Sequence, residues 1–175
     1  YRTGSAVRIP LGSGPVRGDD RVMSELTFLL TAIDPTAADR LRAAGGPVVV
    51  ADESPGYPCR QCLTDALVGE ELVLVSHDPF DATSTSPYRG ASPIFLHREP
   101  CAPHVASAVI PDQQARRTLS VRGFDREDVM LDAAIVEGTG LRDAIEQLFA
   151  NPEIDHLHVH NATRGCWAAN VHRVI

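Results

Sequence analysis

The sequence predicts an α+β fold, one domain with a largely antiparallel β-sheet and two main helices. Three observations carry that expectation. Only two stretches have helical periodicity, against many short strand-like runs. Helices and strands do not alternate regularly, as parallel βαβ units would require. The charged bend Asp125-Arg126-Glu127-Asp128 separates two strand-like runs, a hairpin signal.

In chain order, Leu26 to Ile33 reads as a strand. Asp34-Pro35 starts a helix, with a side-chain acceptor at the cap and proline at the first helical position. Ala37, Ala38, Leu41 and Ala44 mark its apolar stripe, and Gly45-Gly46 stops it. Pro47 to Ala51, Glu71 to Ser76 and Ser92 to His97 read as further strands. A turn-rich stretch, Ser54 to Pro58, leads into Cys59-Arg60-Gln61-Cys62, and Asp78 to Gly90 reads as a polar loop. Glu99 to Gln114 has three prolines and no clear period, so it is expected to be mainly irregular. Arg117 to Phe124 and Val129 to Val136 form the hairpin. Thr139 is expected to cap a second helix with Leu141, Ala144, Ile145, Leu148 and Phe149 on one face, ended by Asn151-Pro152. A histidine-bearing strand, a bend and a strand from Ala168 to Val174 complete the chain.

The 175 residues suffice for one ordinary domain with a real core. That domain is expected over residues 23–175, starting at Met23. Residues 1–22, rich in Gly, Arg and Pro, read as a natural arm or an expression remnant. A net charge of −7 argues against a nucleic-acid binder, because no basic stripe is present to neutralise phosphates. All sixteen basic residues are arginine. Schiff-base lysine chemistry, and so pyridoxal-phosphate enzymes, and Walker-type NTPases are therefore excluded. No apolar run approaches membrane-spanning length, and the N-terminus lacks the apolar core of a secretory signal. A cytoplasmic protein with four free thiols is the default expectation. A homodimer is compatible with the sequence, which specifies no contact for it.

The working end is expected in Ile154 to Trp167. His156, His158 and His160 alternate with Leu157 and Val159, so an extended chain puts the imidazoles on one face and the apolar pair on the other. The following bend delivers Asn161, Arg164 and Cys166 to their neighbourhood.

Several segments resemble a known family. Gly56-Tyr57-Pro58-Cys59-Arg60 with Leu63, Ala66 and Gly69-Glu70 is one; Pro87-Tyr88-Arg89 with Pro93-Ile94-Phe95 is another. The third is His158-Val159-His160-Asn161 with Gly165-Cys166 and Ala168-Ala169. Together, from about Leu26 to the C-terminus, they resemble the domain of unknown function 1203 family. Ser92 stands where that family has glycine, and His156 lies outside its pattern. The resemblance implies a single domain with a shared site and brings no activity with it.

Four readings of the chemistry follow. The first is a pocket for an anionic small molecule, formed by Arg60, Tyr88, Arg89, His160, Asn161 and Arg164. In it His158 is the general base or nucleophile and Cys166 or Cys59 the thiol, should turnover occur. The arginines could equally be tied up in ion pairs with Asp65 or Glu70. The order His-apolar-His-apolar-His also resembles the histidine-triad nucleotide hydrolases and transferases, with His158 as the attacking residue, although Asn161 follows where that motif continues apolar. A third reading makes the cluster a structural or partner-binding patch without catalysis. A metal on the histidine strand would need another ligand, from Cys166, Cys59, Glu70 or Asp155, and none is assigned. Cys59 and Cys62 have dithiol spacing without the helix N-terminus a redox pair uses. A zinc knuckle would want a second spaced pair, whereas Cys101 and Cys166 stand alone. Cys62 and Cys101 are expected to be small buried thiols, and no cofactor is identified.

Overall fold

The structure is a computed structural model in which residues 28–174 are described. The expected domain start at Met23, the segment before it and the beginning of the first strand lie outside the described residues. The chain forms an α+β domain with two antiparallel sheets instead of the one expected. Strands β1 (Phe28–Thr31), β5 (Thr118–Phe124), β6 (Met130–Glu137), β7 (His156–Asn161) and β8 (Trp167–Arg173) form a five-stranded sheet in the order β1-β8-β7-β5-β6. Strands β2 (Val48–Val50), β3 (Glu71–His77) and β4 (Ser92–His97) form the second, in sequence order. No helix among the described residues is long and apolar enough to cross a membrane.

Local chemistry explains the first helix, α1 (Pro35–Ala44). Asp34 accepts a hydrogen bond from the Ala37 N–H at 3.0 Å, proline occupies the first turn, and Gly45 leaves the helix at φ +78°. The β5–β6 hairpin forms where expected. Asp125 Oδ1 accepts from the N–H groups of Glu127 (3.0 Å) and Val129 (2.8 Å), holding the charged bend closed.

The stretch 99–114 is mainly irregular, as expected, and ends in a short helix, α2 (Asp112–Ala115), with Gln113 and Gln114 buried. One expectation needs correction. Thr139 does not cap the helix α3 (Leu141–Phe149); it sits in a 3₁₀ turn, Gly138–Gly140, and α3 has no side-chain cap. Close packing sets the entry angle instead. A Cβ on Gly138 would lie 1.9 Å from the Gln114 carbonyl oxygen, so only glycine lets the two backbones meet.

The main core lies between α3 and the five-stranded sheet. Leu141, Ile145, Leu148 and Phe149 pack with Leu119, Val121, Leu157, Val159 and Val171. Leu157 and Val159 thus face inward, as their alternation with the histidines requires. A second apolar cluster joins the sheets through Trp167, packed with Ile33, Val73, Val75, Ile94 and Leu96. Ser92 contributes here, because its Oγ accepts from the Trp167 N–H at 3.1 Å and ties β4 to β8.

Two isoleucines separate burial from composition. Ile145 is fully buried, so Ile145→Ala should cost about 2–5 kcal/mol in urea unfolding through lost burial and a cavity. Ile135 on β6 is largely exposed, and Ile135→Ala should stay within about 0.5 kcal/mol.

Candidate functional site

The turn at Cys59–Cys62 and the β7–β8 connection build the candidate site. The Cys59 N–H donates to the Thr64 carbonyl at 3.0 Å, and the backbone closes with Leu63 at φ +56°. The Arg60 N–H donates to the Phe95 carbonyl at 2.9 Å, fastening this knuckle along β4. At the other side, Asn161 and Cys166 close the β7–β8 turn: Asn161 N–H to Cys166 O at 2.9 Å and Gly165 N–H to Asn161 O at 2.8 Å, with Gly165 at φ +73°. His160 supports the turn, its Nδ1 lying 2.9 Å from the Gly165 carbonyl. The oxygen can only accept, so Nδ1 carries the proton.

These two segments enclose a hollow of about 300 Å³, at the small end of the range for ligand pockets. Arg60, Arg117, Asn161, Arg164 and Cys166 face it, with an apolar wall from Leu74, Pro93 and Ile94. Arg60 is only 1 % exposed. Its Nη1 donates to Gln113 Oε1 at 2.9 Å, its Nη2 lies 3.7 Å from Cys166 Sγ, and its Nε has no partner. Burial lowers the Arg60 pKa, opposed by the nearby Cys166 sulfur. Asn161 Nδ2 donates to the same sulfur at 3.3 Å, while its Oδ1 is buried and unpartnered.

The ion-pair alternative holds for Arg89, with a carboxylate other than the expected ones, while Asp65 goes to an arginine outside the expected set. Asp65 forms a two-armed pair with Arg117, and Asp78 lies 3.0 Å from Arg89. Among the described residues no carboxylate lies within ion-pair distance of Arg60 or Arg164. Sequence reasoning missed Arg117 and Gln113. Gln113 holds Arg60 and donates through Nε2 to the Cys59 carbonyl at 3.2 Å. A neutral amide in an aperiodic stretch gave no signal.

The expected single pocket is two places. His158 and His160 do not line the hollow of Cys166, and neither do Cys59, Tyr88 or Arg89. His158 is 2 % exposed, with the rings of Phe80 at 4.6 Å and Phe124 at 4.8 Å. It borders a separate recess of about 160 Å³ beside His156, His172, Asp128 and Asp155. Tyr88 is exposed and lines neither place, its ring 6.0 Å from that of Phe124. The polar loop expected at 78–90 brings Phe80 down over the imidazoles, which is why the histidine face is roofed. A triad-type attack needs an open His158, and this one is enclosed. A larger hollow of about 610 Å³, between α1 and the His77–Ala82 segment, contains none of the expected site residues.

The cysteines sort differently from expectation. All four are free thiols. Cys59, Cys62 and Cys101 meet His97 so that their donor atoms all lie within 4.8 Å of one another. Among the described residues this is the grouping that could hold a metal, and the histidine strand assembles none. Hydrogen bonding with Cys62, then with His97, pushes the Cys59 thiol pKa down against the effect of burial. The same pairing pushes Cys62 up.

Comparison with known proteins adds the family. The model of the family described as protein of unknown function (DUF1203) matches residues 56–173, well over half of the chain. No curated protein matches, and no solved structure does either.

Burial fixes the charge state of the histidine strand and yields a pH prediction. Burial, then the neighbouring His156, His160, His172 and Arg122, lowers the His158 pKa to about 3. Burial lowers that of His160 to about 4, with Arg122 and Arg60 adding to it and the Gly165 carbonyl opposing. Asp128 and Asp155 also border the recess at His158. The unfolded chain titrates near 6.5 and takes up protons first as pH falls. This contribution to stability is complete above about pH 6.5 and declines toward the folded values, by up to about 1.4 kcal/mol per pH unit for each histidine. Urea unfolding across this window should show a shallower decline for His158→Asn than for wild type. Parallel profiles would remove the assignment of a neutral buried His158.

Proposed function

The chain belongs to the DUF1203 family, and we propose that it binds a small anionic molecule, a carboxylate or phosphate, in the hollow between Arg60 and Cys166. One observation carries this reading: Arg60 is a buried guanidinium with no acid beside it among the described residues. Removing a cation from water costs several kcal/mol unless an opposite charge or a full set of acceptors compensates it. Gln113 satisfies one arm, and the second faces the hollow at Cys166. Exposed Arg164 and the Asn161 amide border the same space, so an anion entering it meets donors from three directions. The apolar wall of Leu74, Pro93 and Ile94 suits a short carbon skeleton.

Cys166 is the reactive group of the hollow, half-buried, with two N–H donors directed at its sulfur. No histidine borders the space to serve as a general base. Binding, with thiol chemistry at Cys166 where the bound molecule is electrophilic, is therefore the reading adopted. His160 acts as a positioning residue through the Gly165 carbonyl.

Paired alkylating agents test this without knowledge of the natural ligand. Iodoacetate and iodoacetamide place the same carbon on sulfur and expel the same iodide, but only iodoacetate is an anion. Peptide mass spectrometry should find Cys166 modified with a preference for iodoacetate. That preference should fall about three- to tenfold in Arg164→Gln and weaken with added salt. Inorganic phosphate or succinate should slow the iodoacetate reaction. A preference that is absent, or identical in wild type and Arg164→Gln, would refute the anion site.

A further inference from the structure

We propose that Cys59, Cys62, His97 and Cys101 bind one zinc ion in a closed tetrahedral site distinct from the Arg60–Cys166 hollow. Four soft or borderline donors on two short spacings supply it, Cys59-x2-Cys62 and His97-x3-Cys101. The second pair, missed when only cysteines are counted, is a histidine and a cysteine. Three thiolates and one imidazole form a recurrent structural zinc set.

Distances fit one central ion. Zn–S bonds of about 2.3 Å at tetrahedral angles place two sulfurs about 3.8 Å apart, and a sulfur and a nitrogen about 3.6 Å apart. Cys59 Sγ lies 3.8 Å from Cys101 Sγ, and Cys62 Sγ lies 3.6 Å from His97 Nδ1. The outer contacts are in place too. His97 Nε2, the nitrogen turned away from the cluster, lies 3.3 Å from Glu70 Oε2, off the hydrogen-bond direction but at ion-pair distance. The same carboxylate oxygen accepts from the Leu67 N–H at 2.8 Å, which holds it there. A carboxylate behind a ligating histidine orients the ring and raises its basicity. Thr64 Oγ1 lies 3.0 Å from Cys62 Sγ.

A redox dithiol explains less. It would use two of the four groups and leave a thiol and an imidazole converging without purpose. Cys59 is fully buried, and the Cys59–Cys62 pair lies in a turn flanked by the Pro58–Asp65 bridge, not at a helix N-terminus. Burial of Cys59 with partial burial of its three partners matches a structural site without an open coordination position.

The test uses the full chain, produced without a polyhistidine tag and kept reduced. Elemental analysis after gel filtration should find about one zinc per chain. Reconstitution of the wild type with cobalt(II) should give thiolate-to-cobalt charge-transfer bands and tetrahedral d–d absorption. Cys101→Ser should lose most of the charge-transfer intensity. Glu70→Gln alters a half-exposed side chain, so it should fold, bind one metal, and do so about tenfold to a hundredfold more weakly against a competing chelator. A folded wild type that takes up neither zinc nor cobalt would overturn the proposal. So would iron alone at the site, a Cys59–Cys62 disulfide in the reduced preparation, or metal affinity unchanged in both Cys62→Ser and Cys101→Ser.

Discussion

The structure turns on Arg60. Its N–H donates to the Phe95 carbonyl on β4, and its own carbonyl accepts from the Ile33 N–H just beyond β1 at 3.1 Å. One residue therefore bonds to the strand of one sheet and to the end of a strand in the other. Its side chain then runs inward to Gln113 and Cys166, reaching α2 and the β7–β8 turn. Such a residue cannot move without disturbing both sheets. A long cation held this way has lost its conformational freedom before any ligand arrives, which is the condition for recognising a small anion with few contacts.

The histidine strand was legible in direction and misleading in environment. Alternation put Leu157 and Val159 into the core and the imidazoles opposite, and the structure agrees. Alternation says nothing about what covers the second face. Phe80, in a stretch that reads as a polar loop, closes over His158, and Ser86 pins that loop by donating to the Asp128 carbonyl at 2.5 Å. Both faces of β7 are consequently buried from Leu157 onward, and His158 and His160 become core residues kept neutral. The expectation of a catalytic histidine rested on the strand alone; the roof came from a segment whose packing had no sequence period.

The same limit explains the cysteines. Cys59 and Cys101 are 42 positions apart and Cys62 and His97 are 35 apart, so no local pattern joins them. What joins them is the β3–β4 hairpin, which returns the chain to the knuckle, and the parallel bridge between Cys59 and Phe95. The Asp34 cap and the hairpin at Asp125 are set within a few residues and could be read directly, whereas the start of α3 is set by packing of Gly138 on the Gln114 backbone and could not. Gln113 could not, because its role depends on a guanidinium 53 positions away.

The chain turns directly after Cys59, and the side chains of Cys59 and Arg60 serve two places at once. The thiol turns toward Cys62 and Cys101, while the guanidinium turns toward Cys166. Charge links the two. Negative charge at Cys166 and at Cys59 both raise the Arg60 pKa against the burial that lowers it. Three thiolates and one imidazole around a divalent ion carry a net charge of about −1, next to a cation that lacks a carboxylate. A loaded Cys/His cluster would then offset part of the cost of burying Arg60 while leaving its Nη2 free to face the hollow. Under that balance the proposed metal site would act on the proposed anion site through geometry and field, without touching a bound molecule.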